Sequence, residues 1–73
     1  MDNGYPVDAL IDPPDLSAAL ARSGGGGWWK TAAPSYRRNV LRWIDGARRV
    51  ETRRDRIGKV AELAAEGQKV PNY

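Results

Sequence analysis

The chain has 73 residues, no cysteine and no histidine, and a formal net charge of +3. This length allows one domain with a small hydrophobic core. The missing residue types exclude disulfides, thiolate nucleophiles, imidazole bases and nearly every zinc site. The composition therefore excludes most hydrolase and metalloenzyme chemistry and predicts no metal site.

Charge is distributed unevenly along the chain. Residues 1–21 carry four aspartates and no basic residue, whereas residues 22–73 carry twelve basic residues and five acidic ones. The N-terminus lacks the basic start and apolar run of a signal peptide, and no stretch approaches the roughly 18 apolar residues of a membrane span. We therefore expect a cytoplasmic protein without a membrane span, whose basic part attracts polyanions or acidic protein surfaces.

The first predicted helix covers residues 13–23 and follows a flexible N-terminal arm of residues 1–11. Asp12 is suited to cap this helix, with Pro13 at its first position. Ile11 and Leu16 occupy the two positions of a hydrophobic staple, in which apolar side chains on either side of the cap pack together. Gly24 is expected to end the helix.

Four consecutive glycines at residues 24–27 precede two adjacent tryptophans. Ordering such a run costs much backbone freedom, so we expect a loose connection there. Neighbouring helical residues point about 100° apart, so one of Trp28 and Trp29 belongs to the core and the other is partly exposed. Both are candidate exposed aromatic residues. The segment GGGGWWKT resembles a phosphate-binding loop, but Trp29 stands where that loop needs its second glycine.

The strongest helical pattern begins at Pro34 and extends to about Arg48 or Arg49. Its apolar residues recur at helical spacing, which predicts one buried face: Tyr36, Val40, Trp43, Ile44 and Ala47. Its opposite face is charged and contains Arg38, Arg42, Asp45 and Arg49.

The last predicted helix covers about residues 52–66. Thr52 followed by Asp55 resembles a capping box, and Gly67 is expected to stop the helix before a C-terminal tail of residues 68–73. No segment alternates in the manner of a strand. We therefore predict an all-α fold: a single domain of three to four helices over residues 12–67, built on an antiparallel hairpin of the last two helices with the first helix laid across them.

The basic residues of the last two predicted helices are the feature of the sequence that most clearly indicates a function. Folding the hairpin would gather basic side chains from two helices, which makes seven residues candidates for anion or partner binding: Arg37, Arg38, Arg42, Arg53, Arg54, Arg56 and Lys59. Guanidinium groups suit phosphates and carboxylates because they donate two parallel hydrogen bonds. The competing interpretation is a solvated surface whose arginines pair with acids of the same chain, such as Asp45, Asp55, Glu51 and Glu62.

The order of these segments resembles a known family. The resemblance lies in residues 16–20, in Pro-Ser-Tyr-Arg-Arg at 34–38, in Trp43-Ile44 with Ala47, in Glu-Thr-Arg-Arg-Asp-Arg-Ile at 51–57 and in Gly-Gln-Lys at 67–69. Over about residues 12–70 the chain resembles the YdeI/OmpD-associated family, also known as the bacteriocin-protection family. The resemblance implies a bacterial helical module with an accessory role in stress protection, linked by name to an outer-membrane porin. It implies no catalytic residue and no cofactor.

Three hypotheses about function follow. The first is a non-enzymatic accessory or interaction module of the YdeI/OmpD-associated type that has a protein partner. The second is an electrostatic nucleic-acid binder, with Trp28 or Trp29 stacking on bases. The third is a homo-oligomerisation module that buries an apolar patch beside the glycine run. Within the hairpin, we expect Arg53 to form a salt bridge with Asp45 or with an acid of the first helix, Asp12 or Asp15.

Overall fold

A computed structural model describes residues 11–71, and within this range the chain is all α-helical. The helices are α1 (Pro14–Ser23), α2 (Gly26–Thr31), α3 (Pro34–Asp45) and α4 (Val50–Ala65). The predicted fold class is therefore confirmed, with no strand in the described range. The predicted N-terminal arm lies outside the described residues except for Ile11.

Helix α1 begins one residue later than predicted. Pro13 is its N-cap, with φ −61° and ψ 150°, and Pro14 is its first residue. A residue that precedes proline is pushed toward extended backbone, so Pro13 cannot join the helix. The predicted Asp12 cap is therefore wrong, as is the staple, because Ile11 is 60% exposed while Leu16 is fully buried. Gly24 ends the helix in the left-handed region, at φ 83°, as predicted.

The glycine run is not the loose connection that the sequence suggests. Helix α2 begins at Gly26, and the buried Gly25 donates its N–H to the Leu20 carbonyl and to the Ser23 hydroxyl. A Cβ on Gly25 would lie 2.7 Å from the backbone nitrogen of Ala65. Glycine is therefore needed here because α2 and α4 approach so closely.

Helix α3 starts at Pro34, as predicted, but ends at Asp45, three to four residues early. Gly46, a poor helix former, closes its last turn by donating its N–H to the Arg42 carbonyl. Helix α4 also starts early, with Arg49 as its N-cap. Thr52 lies in the first turn rather than at the cap, so the predicted capping box is wrong.

The end of α4 follows the prediction. Gly67 adopts φ 70°, and the N–H of Gln68 bonds to the carbonyl of Leu63 at 2.8 Å. This arrangement is a Schellman motif, in which a left-handed glycine lets the chain turn back on the last helical turn. The chain then continues to Val70, which is 4% exposed and so joins the core from the predicted tail.

The core gathers residues from every helix: Leu16, Leu20, Trp29, Tyr36, Val40, Ile44, Ile57, Val60, Ala61, Ala64 and Val70. Helix α4 contacts the other three helices, and its most extensive packing is against α1. Of the predicted buried face of α3, Tyr36, Val40 and Ile44 enter this core, whereas Trp43 is only half-buried and Ala47 lies beyond the end of the helix. The antiparallel pairing of α3 and α4 stays a prediction. The burial of Tyr36 raises the pKa of its phenol, whose oxygen accepts the Val70 N–H at 2.8 Å.

Candidate functional site

Arg53 connects three helices through its guanidinium group. Its Nε and Nη2 donate to the two carboxylate oxygens of Asp15 on α1, at 2.7 and 3.2 Å. Its Nη1 donates to Oδ1 of Asp45, the last residue of α3, at 3.2 Å. The prediction that Arg53 bridges to Asp45 or to an acid of the first helix is confirmed, and the residue forms both contacts at once. Arg53 is therefore part of the architecture rather than a free binding group.

These contacts shift the titration of both groups. The hydrogen bonds from Arg53 hold the pKa of the Asp15 carboxyl below its ordinary value of 3.8, against a smaller opposing effect of desolvation. The same bonds, with the one to Asp45, raise the pKa of the Arg53 guanidinium. The pair therefore stabilises the fold above pH 3.8, and this contribution is lost as the pH falls through the lowered pKa of Asp15.

We expect Arg53→Gln to lower the free energy of unfolding by about 1 kcal/mol at neutral pH, since all three groups remain partly exposed to water. The variant should also lose less stability than the parent chain when the pH is lowered to about 3. Urea unfolding at the two pH values measures both effects. Arg54→Gln, at an exposed neighbour, is the control and should leave both values unchanged. An equal acid loss in the parent and in Arg53→Gln would contradict the assignment.

Arg56 is also used within the fold. Its Nη1 donates to the carbonyl of Trp43 in the last turn of α3, and its guanidinium lies 5.1 Å from the centre of the Trp43 ring. A basic side chain at a helix C-terminus also interacts favourably with the helix dipole. Arg56 therefore caps α3, which helps to explain why that helix ends where it does.

The other five candidates divide into two groups. Arg42, Arg54 and Lys59 are exposed, whereas Arg37 and Arg38 are half-buried on α3. The Nε atom of Arg37 is buried without a hydrogen-bond partner among the described residues, and Arg38 interacts with its surroundings. The seven candidates therefore do not form one free patch, because two of them hold the helices together and two others are partly covered.

The structure adds three exposed arginines that the sequence interpretation left out of the candidate site. Arg48 and Arg49 lie in the loop between α3 and α4, and Arg22 lies in the last turn of α1. Together with Arg42 in the last turn of α3, the two loop arginines form a basic corner. The sequence signal for this corner is Gly46, because a glycine after an amphipathic helix indicates that the following arginines belong to a turn.

The two tryptophans have different environments. Trp29 is 0% exposed and its Nε1 donates to the Asp12 carboxylate at 3.0 Å, so its place among the candidate exposed aromatics is wrong. Trp28 is half-buried and lies edge-on to Tyr36, with ring centres 6.0 Å apart. One tryptophan is thus in the core and the other partly exposed, as predicted. Because Trp29 is buried, it cannot stack on the bases of a nucleic acid, which leaves Trp28 as the remaining tryptophan of the pair for that role.

A shallow groove runs between α1 and α4. Its volume is about 470 Å³, and its lining combines Ala18, Ala19 and Ile57 with the arginines Arg22 and Arg54 and the exposed Val50. A second groove of about 490 Å³ shares Ala19, Arg22 and Gly58 with the first and is bordered by Glu62 and Glu66. This surface therefore carries basic groups toward the start of α4 and acidic groups toward its end.

Among residues 11–71 no helix is long and apolar enough to span a bilayer. Comparison with curated proteins gave no match, and neither did comparison with solved structures. A family model described as "bacteriocin-protection, YdeI or OmpD-associated" matches residues 9–67, which is most of the chain and includes all four helices. The match covers the segments on which the sequence resemblance rests, except for Gln68 and Lys69, and the chain therefore belongs to the YdeI/OmpD-associated bacteriocin-protection family.

Proposed function

We propose that the chain is a non-enzymatic accessory module that takes part in protection of bacteria against bacteriocins by binding an acidic surface of a protein partner. The family description names both this protection and an association with OmpD, which supports a protein as the partner. The geometry supports a binding role because the exposed charged side chains that remain after internal pairing are predominantly basic.

The observation that carries the proposal is the basic corner of Arg42, Arg48 and Arg49. All three side chains are exposed, and none of them forms an ion pair with another residue in the range 11–71. Asp45, an acid close to them in the chain, accepts a hydrogen bond from Arg53. The corner therefore keeps positive charge available to a partner, and charge of this kind steers association and selects acidic surfaces.

We expect a variant with Arg42→Glu, Arg48→Glu and Arg49→Glu to fold and to lose protection. Sensitive bacteria that express the parent chain should survive a bacteriocin better than cells that lack the chain. Cells that express the triple variant should survive no better than cells that lack the chain. Circular dichroism of the purified variant checks the fold. A matched control replaces three exposed lysines elsewhere, Lys30, Lys59 and Lys69, by glutamate and should retain protection.

The same variants test the alternative of an electrostatic nucleic-acid binder. Duplex DNA bound through about three phosphate contacts should lose affinity with salt, with a logarithmic slope of about −3. Submicromolar binding of the parent chain to duplex DNA at physiological salt, abolished by the corner substitutions, would favour nucleic acid over a protein partner. Full protection by the triple variant would show that the basic corner does not contribute to protection.

A further inference from the structure

One face of α4 is left without a partner in the described part of the chain. Val50, Arg54, Gly58 and Glu62 follow one another at four-residue spacing, so they form a ridge along one side of the helix. All four are exposed, and Val50, an apolar residue, is 70% exposed. We call this ridge the Gly58 face. It borders the groove between α1 and α4, and it does not include the basic corner.

Gly58 is unusual because the packing of this chain does not require it. It lies in the interior of the longest helix, where glycine is less favourable than alanine. A Cβ at Gly58 would meet nothing within 4 Å. This differs from Gly25, where a Cβ would collide with α4. A glycine on an exposed helix surface allows the backbone of another helix to come close, so the absent side chain favours an external contact.

The charges on the Gly58 face are arranged so that the face complements itself. Arg54 lies one helical step of four residues before Gly58, and Glu62 lies the same step after it. Neither side chain forms an ion pair within residues 11–71. If two such helices cross in opposite directions at Gly58, each Arg54 lies opposite the partner's Glu62, and the pairing occurs twice about a two-fold axis.

We propose that the Gly58 face binds a second copy of this chain and forms an antiparallel, two-fold symmetric contact between the two α4 helices. A helix of 16 residues is about 24 Å long, which provides only a small interface. The dimer is therefore weak and forms at high concentration. It is independent of the proposed function, which uses Arg42 in the last turn of α3 and the two arginines of the following loop.

The test is sedimentation equilibrium of the full chain at concentrations up to about 1 mM, where a dissociation constant near 100 μM gives mostly dimer. The mass should rise from 8.1 kDa toward twice that value. Arg54→Glu alone and Glu62→Arg alone should each weaken the dimer by about tenfold, because each places like charges opposite one another twice. The double variant Arg54→Glu/Glu62→Arg should restore the affinity of the parent chain.

Two further variants separate this contact from general effects of charge and stability. Lys59→Glu reverses an exposed charge beside the face and should leave the dissociation constant unchanged. Gly58→Ala should weaken the dimer while raising the stability of the monomer, since alanine favours the helix and its Cβ blocks the close approach. A clean monomer at 1 mM overturns the proposal, and so does a double charge reversal that dimerises no better than either single variant. Binding of an unrelated acidic or basic peptide with equal strength would also overturn it.

Discussion

Replacing Trp29 by alanine should leave the chain largely unfolded at room temperature. Trp29 is the largest fully buried side chain, and its ring lies edge-on to Tyr36 with centres 6.1 Å apart. Removing a buried tryptophan costs about 3–5 kcal/mol, and a single small core rarely supplies more than about 3–5 kcal/mol of total stability. Far-UV circular dichroism with urea unfolding measures the loss of helix directly.

Trp28→Ala is the matched control because it removes the same kind of side chain at the preceding position. Trp28 is half-buried, so the variant should remain folded and lose about 1–2 kcal/mol. Asp12→Ala isolates the polar part of the Trp29 site: it leaves the ring in place and removes the acceptor of its Nε1 hydrogen bond, at a cost of about 1 kcal/mol. Equal losses in the two tryptophan variants would show that Trp29 is not the centre of the core.

The position of Trp29 shows which parts of the fold can be read from the sequence. Both tryptophans are obvious candidates for a core, and their helical spacing predicts that only one of them is buried. The choice between them depends on tertiary packing: Trp29 enters the core, and its Nε1 donates to the carboxylate of Asp12, 17 residues away in the chain. Asp12 is a residue type that commonly caps helices, but Pro14 keeps Pro13 out of the helix, so Asp12 lies too early to cap it and its carboxylate bonds to Trp29 instead.

Helix ends were predictable where the signal is local to the backbone. Gly24 and Gly67 both adopt positive φ and both end a helix, because glycine enters that region without strain. The early end of α3 also depends on Arg56, which bonds to a carbonyl of its last turn from 13 residues further along the chain. The burial of Val70 is likewise not predictable from local signals, since its N–H donates to the hydroxyl of Tyr36, 34 residues earlier in the chain.

The sequence predicts which kinds of side chain form the candidate site, but it does not predict which of them pair within the chain and which remain exposed. Clustered arginines indicate contacts with carboxylates, and Arg53 makes such contacts, but its partners are Asp15 and Asp45 of the same chain. The pattern of charges along a sequence does not determine which arginines form ion pairs with acidic residues of the same chain. The basic corner and the Gly58 face become visible only after the internal pairs are identified and the remaining exposed groups are placed on their helices.

Gly25→Ala should cost about 3 kcal/mol, because overpacking a close contact commonly costs about 1–3 kcal/mol and the atoms in the way here include backbone. The added Cβ would lie 2.7 Å from the Cβ of Ala64 and 2.7 Å from the backbone nitrogen of Ala65. A helix backbone cannot move aside as a side chain can, so α2 must shift away from α4. The φ of Gly25 is −91°, which alanine adopts without strain, so the loss comes from the contact alone.

Gly27→Ala is the internal control, since a Cβ at that position would meet nothing within 4 Å and alanine favours the helix. This variant should gain up to about 1 kcal/mol, so the two substitutions, two residues apart, should have opposite signs. Urea unfolding of both proteins measures the difference, and intrinsic tryptophan fluorescence, to which the buried Trp29 contributes together with Trp28 and Trp43, reports whether α2 has moved off the core. A Gly25→Ala variant as stable as the parent would mean that α2 separates from α4 without loss, in which case the glycine run is the loose connection that its composition suggests.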